Sequence, residues 1–224
     1  MRLRWVAGIV GALAVAGLAA VSAYATVVRP RITRWGASEN EVYEALPGDE
    51  VVPEPKYETT RAITIDAPVS AVWPWLVQLG QGRGGLYTYD WLENIAGLEM
   101  RSADQIVPEW QHLEVGDKIR LAPESYTVDM YFLVESIDPE RALVLRTPGD
   151  PQSNFATGLP YGSWAFVLRP VDEHTTRLIV RWRADYNPTL AGRLVNHYGL
   201  EPVHFAMERG MLLGIKERAE GAAK

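Results

Sequence analysis

The run Gly80-Gln81-Gly82-Arg83-Gly84-Gly85 matches the G-x-G-x-x-G pattern. A dinucleotide site needs that pattern after a strand and at the start of a helix, so that backbone N–H groups meet the pyrophosphate. Here it follows an apolar helical stretch, so no nucleotide cofactor is expected. Two uses stay open: a loop gating a cavity mouth with Arg83, Tyr87, Tyr89 and Trp91, or a helix cap followed by core aromatics. The histidines are His112, His174, His197 and His204. None forms H-E-x-x-H, and Glu201 with His204 is half of a di-iron pattern whose other half is missing, so no metal is expected. There is no G-x-S-x-G, and with no cysteine in the chain thiolate chemistry is excluded. What remains is proton transfer by a buried acid or base, for which Glu93, Glu109, Tyr87, Tyr131 and His204 have suitable groups. His112, beside Glu109 and Glu114, fits a pocket rim or an exposed loop. Near the C-terminus, Val203, Met207, Gly210, Met211 and Gly214 recur at helical spacing, as a ligand-facing stripe or as plain core packing. Tyr131, Trp164 and Trp182 are the strand aromatics that can line such a cavity.

These residues need elements to position them. The alternating segment Thr59–Ile65 predicts a strand, and Asp66-Ala67-Pro68 predicts the start of a helix to about Leu79, capped by Asp66 and carrying Pro74 inside it. A short helix is expected over Tyr89–Ile95. Period-two patterns then predict strands at Asp117–Leu121, Tyr126–Ile137, Ala142–Arg146, Ser163–Val171 and Thr176–Tyr186. Short turns between them argue for an antiparallel meander. A long helix from Thr189 to about Ala219 closes the chain, kinked or divided at Pro202. The expected class is α+β: a curved antiparallel sheet wrapped on a long C-terminal helix, with a cavity in the grip between them.

The strand-to-helix stretch ITIDAPVSAVWPWL (63–76) resembles the opening of START-like, or SRPBCC, domains. The stretches WPWLVQLGQGRGGLYTYDWLEN (73–94) and HFAMERGMLLGIKERAE (204–220) are similar to a membrane-anchored bacterial branch of that superfamily. The resemblance covers about residues 59–220. It implies the helix-grip fold and a cavity for a hydrophobic ligand. Family members include lipid carriers, hormone receptors and polyketide aromatic cyclases, so fold does not choose the activity.

The chain of 224 residues has ordinary globular composition, 47% hydrophobic and 22% charged, with a formal net charge of −6. Charge is unevenly placed. Arg2, Arg4, Arg29, Arg31 and Arg34 precede Trp35 with no acid among them, which leaves residues 35–224 with 17 of the 22 basic residues against all 28 acidic ones. Such a domain repels phosphate backbones, and nucleic-acid binding is not expected. Residues 6–28 carry no charge and as a helix span roughly 34 Å, enough to cross a bilayer. A single-pass anchor is therefore expected at 1–28, meeting membrane lipids, with the domain on the extracytoplasmic side. The alternative is a cleaved secretory signal ending at Ala23-Tyr24-Ala25. Residues 29–58, with the proline-rich LPGDEVVPEPK (46–56), read as an extended linker, within which Ser38-Glu39-Asn40-Glu41 can cap a short helix. Residues 59–222 form the ligand-binding domain. The expected function is a membrane-tethered, non-catalytic binder of a hydrophobic small molecule or lipid. A cyclase or dehydratase acting on a polyketide-like substrate is the first alternative. A cell-envelope interaction module with a collapsed cavity is the other.

Overall fold

The computed structural model describes residues 17, 19, 21–157, 160–186, 189 and 195–222. Its elements, in chain order, are α1 (Arg29–Thr33), α2 (Glu39–Tyr43), β1 (Tyr57–Ile65), α3 (Val69–Val77), α4 (Asp90–Ile95), β2 (Lys118–Arg120), β3 (Tyr131–Asp138), β4 (Ala142–Arg146), α5 (Pro151–Thr157), β5 (Tyr161–Pro170), β6 (Thr176–Asp185) and α6 (Glu201–Ala222). The strands form one six-stranded sheet in the order β1-β6-β5-β4-β3-β2. Every neighbouring pair is antiparallel. The meander thus runs from β2 to β6, and β1 adds to its far edge.

Alternation divides the sheet into two faces. Trp164, Phe166 and Leu168 of β5 point to the same side as Leu178 and Val180 of β6 and Leu143 and Leu145 of β4. They bury themselves against Val72, Trp75 and Leu76 of α3 and Met211, Leu212 and Ile215 of α6. The register of β3 on β4 slips between Val134 and Ser136, a bulge of the kind that bends a strand and raises its twist. The other face is a smaller cluster in which Ala62, Ala142, Val167 and Ile179 meet Leu46.

Leu46 belongs to the stretch expected to be an extended linker, and that expectation needs correcting. Ser38 and Glu41 form a reciprocal capping box that starts α2. The following chain is laid across the outer face of the sheet, with Val42, Leu46 and Val52 buried. Arginines on the outer side of β6 hold it there. Arg181, 2% exposed, donates from Nε to Thr60 Oγ1, from Nη1 to Glu44 O and Asp49 Oδ2, and from Nη2 to Glu41 O and Val42 O. All five of its N–H donors are thereby satisfied. Arg177 adds a two-pronged contact to the Glu41 carboxylate, at 2.7 and 2.9 Å. That contact draws the Glu41 carboxyl down to about 2.

The membrane anchor is overturned. No helix among the described residues is long and apolar enough to cross a membrane. Much of the 6–28 segment lies outside the described residues. Its described end turns π-helical at Tyr24–Val28 and runs into α1. There the Tyr24 hydroxyl donates to His197 O at 2.9 Å and to Glu201 Oε1 at 3.1 Å, so this end docks on the start of α6.

Smaller differences have local causes. Asp66 does not cap α3. Pro68 holds the cap position in extended geometry instead, with no side-chain cap bond. Pro74 sits inside α3 without ending it. β3 begins at Tyr131 rather than Tyr126. The C-terminal helix is divided beside Pro202, as expected: a π-helical segment, Val195–Leu200, runs into α6, which begins at Glu201. The expected helical residues 190–194 lie outside the described residues.

Candidate ligand cavity

Between α6 and the concave face of the sheet lies a cavity of about 620 Å³. Its walls come from five regions: β1 (Tyr57), the chain into and through α4 (Leu86, Leu92, Glu93), β2–β3 (Leu121, Met130, Phe132), β5–β6 (Trp164, Trp182, Ala184) and α6 (Glu201, His204, Met207, Glu208, Met211). A volume of this size suits a drug-sized molecule, for which pockets run about 300–1,000 Å³. Leu92, Met130, Leu200 and Val203 line it yet are exposed, and so mark its opening. Trp164 and Trp182 both pack on Phe132, with centroids 5.5 and 5.7 Å away, and form an aromatic floor.

The 22-residue α6 can lie close because it offers no Cβ at two positions. A methyl group on Gly214 would sit 2.0 Å from the Tyr87 carbonyl oxygen, and one on Gly210 would sit 2.8 Å from Thr88 Oγ1. The segment Tyr87–Tyr89 therefore rests directly on the helix. This brings α4, with Glu93, to the cavity rim.

One polar group in the wall is fully built. Glu208, 2% exposed, accepts from Trp164 Nε1 at 2.9 Å and pairs with the fully buried Arg61 guanidinium of β1. Arg61 Nε donates to Ile32 O at 2.7 Å, and Nη1 also donates to His204 Nδ1 at 3.3 Å. Burial holds the His204 pKa below its ordinary value. Glu208 opposes that effect and Arg61 adds to it. His204 is thus a neutral imidazole whose Nδ1 is occupied as an acceptor. The Tyr57 hydroxyl lies beside the Arg61 guanidinium. Burial raises the Tyr57 pKa above the usual phenol range.

Glu93 is different. It is 5% exposed, and its Oε2 has no hydrogen-bond partner among the described residues. Burial first, and the neighbouring Asp90 second, push its pKa up to about 7. A cavity with a half-ionised acid and a neutral imidazole in its wall can hold a polar group of a ligand and can exchange protons with it.

Of the residues singled out in the sequence, Trp164, Trp182, His204, Met207 and Met211 line the cavity. Arg83, Tyr87, Tyr89, Trp91 and Tyr131 do not. Arg83 donates to Val77 O and Trp110 O and so fastens its loop. The loop itself is closed by paired backbone bonds between Gly80 and Gly85, as in the cap-and-turn reading. Tyr87 is a core residue that donates to Trp75 O at 3.0 Å. Tyr89 packs on α6 at Gly210. Trp91 is 66% exposed on the outside of α4, and Tyr131 stacks under the Lys118 ammonium. Glu109, His112 and His174 are exposed. Tyr57, Glu201 and Glu208 were missed. A lone arginine inside the apolar strand TTRAITI was the one available sign that β1 held a buried ion pair.

No family model matches the chain, and no curated protein matches it. Among solved structures, it is similar to a conserved protein from Geobacillus kaustophilus (15% identity, 75% of this chain and 98% of that one, TM-score 0.43). It is also similar to an aromatase/cyclase from Streptomyces sp. R1128 (12% identity, 75% and 96%, TM-score 0.44). A third is a truncated norcoclaurine synthase from Thalictrum flavum (12% identity, 72% and 91%, TM-score 0.43). Likeness at this level assigns neither family nor activity. With its six-stranded antiparallel sheet wrapped on a long C-terminal helix, the chain has the helix-grip architecture expected from its sequence.

Proposed function

We propose that the protein binds a hydrophobic small molecule in the cavity between α6 and the sheet. The observation that carries this reading is the open, largely apolar space of about 620 Å³ in an otherwise packed core. An empty apolar void of that size costs stability, and a ligand that fills it recovers contacts. Membrane tethering forms no part of this reading.

The test is binding of a neutral solvatochromic dye such as Nile red, together with native mass spectrometry of protein purified from its own host. Met207→Trp, which places an indole in the cavity, should weaken dye binding by at least about tenfold, the loss expected when several buried CH₂ contacts are displaced. A cavity found empty in the native protein, together with dye binding that ignores this substitution, would remove the proposal.

A second reading, proton-transfer catalysis on the bound ligand, is favoured by one specific observation. Glu93, with a pKa of about 7, and the neutral His204 both face the cavity. An all-apolar lining would have ruled out a cyclase or dehydratase, and the lining is not all-apolar. The interaction-module alternative required a collapsed cavity, and the open space counts against it.

A further inference from the structure

Three carboxylates line the cavity: Glu93, Glu201 and Glu208, with exposures of 5%, 1% and 2%. Two already have a cation. Glu201 Oε2 accepts from Arg29 Nε at 3.0 Å, with the Tyr24 hydroxyl on Oε1. Glu208 is paired with Arg61 and bonded by Trp164. Glu93 has neither. No hydrogen bond reaches its Oε2 among the described residues. The charge beside it is another acid, Asp90, whose carboxylate is turned away to Ser102 N and Oγ at 2.8 and 2.6 Å. No lysine or arginine contributes to the lining among the described residues. An ionised carboxyl held in such a place without a counter-charge is costly, and the two neighbouring acids show how this fold meets that cost elsewhere.

We infer that the ligand supplies the missing cation: the cavity takes a hydrophobic amine whose ammonium group pairs with the Glu93 carboxylate. This rests on the reading of the cavity as a hydrophobic-ligand site and names the ligand's polar group. Across the space stand Tyr57 of β1, Tyr186, and Glu201, His204 and Glu208 of α6. The two acids are neutralised in place and His204 is uncharged, so Glu93 is the group left to set the sign of the ligand. A fatty acid or other hydrophobic anion would enter a wall of carboxylates with no cation free to meet it among the described residues. The apolar body of the amine would lie along Phe132, Met207 and Met211.

The experiment displaces Nile red from the full-length protein with three competitors of equal chain length: decylamine, decanol and decanoate. At pH 7.5 decylamine is expected to compete at least about tenfold better than decanol, the value of one charge-assisted hydrogen bond, with decanoate weakest. In Glu93→Gln the decylamine-to-decanol ratio falls to near unity. The wild-type protein carries an independent check that needs no variant. Decylamine stays protonated from pH 5.5 to 8.5, so its advantage over decanol grows as Glu93 ionises. Equal competition by amine and alcohol, a preference for decanoate, a pH-independent ratio in the wild type, or a preference retained in Glu93→Gln each overturns the amine inference while dye binding leaves the cavity reading standing. Failure of the wild-type protein to bind Nile red overturns both.

Discussion

Replacing Glu93 with glutamine will change how the protein's stability depends on pH. In the folded protein the Glu93 carboxyl titrates near about 7, raised from 4.5 by burial and by Asp90, whereas in the unfolded chain it returns to the ordinary value. An acid whose folded pKa is raised contributes its full stability below the unfolded pKa and loses it as pH rises through the folded one. The loss therefore develops between about pH 4.5 and pH 8. A displacement of that size corresponds to about 3 kcal/mol, and water in the adjoining cavity screens it to about 2 kcal/mol. Glutamine keeps the shape and cannot ionise. Urea unfolding followed by tryptophan fluorescence at intervals from pH 4.5 to 8.5, for wild type and Glu93→Gln, reads the difference directly. The variant should gain on the wild type by about 2 kcal/mol across the window, with half of the gain reached near pH 6. Other titrating groups act on both proteins and cancel. Parallel stability curves for the two proteins would show that Glu93 is solvated, and would refute the reasoning that places it, uncompensated, in the wall of the cavity.

Arg181→Leu removes five hydrogen bonds and leaves the Asp49 carboxylate without this partner. It should destabilise by about 3–5 kcal/mol and expose residues 41–49 to rapid amide hydrogen exchange. Gly214→Ala puts a methyl 2.0 Å from the Tyr87 carbonyl oxygen, so it should cost about 2 kcal/mol or more in thermal unfolding and lower cavity affinity as α4 shifts. Trp164→Phe keeps the aromatic floor but takes the donor from Glu208 Oε1. A loss of about 1–3 kcal/mol in chemical denaturation is expected. His204 has a folded pKa held below its ordinary value, so its contribution is present above about pH 6.5 and is lost as pH falls below that. His204→Gln should therefore flatten the acid side of the stability profile below about pH 6.5.

The strands were legible because their burial follows from period alone, and the long helix because its composition is helical. Leu143 and Leu145, or Trp164, Phe166 and Leu168, face one way because alternate residues must. The cover on the outer face was not legible. Pro47, Pro53 and Pro55 among acids look like a solvated linker, and the partners that order it, Arg177 and Arg181, lie more than 130 residues away in sequence. Those arginines share one side of an apolar strand, which was a usable sign. Glu208 was lost among the charges of a helix that looks solvent-facing, because its partner Arg61 sits on a different element. The aromatics after the glycine loop were legible as important but not in direction. Tyr87 adopts φ 56° and turns its ring into the core against Trp75, while Trp91 turns outward. The N-terminal stretch was judged on apolar composition. Composition does not reveal that Tyr24 and Arg29 both reach the same buried carboxylate, Glu201.

The most direct test of the central claim uses the protein's own methionines as reporters. Met130, Met207 and Met211 line the cavity, whereas Met100 is buried outside it. In protein labelled with ¹³C at the methionine methyl groups, titration with a neutral apolar probe should move the Met130, Met207 and Met211 resonances together, with one saturating affinity, and leave Met100 in place. If the three do not move, or if Met100 moves with them, the space between helix and sheet is not where this protein takes its ligand.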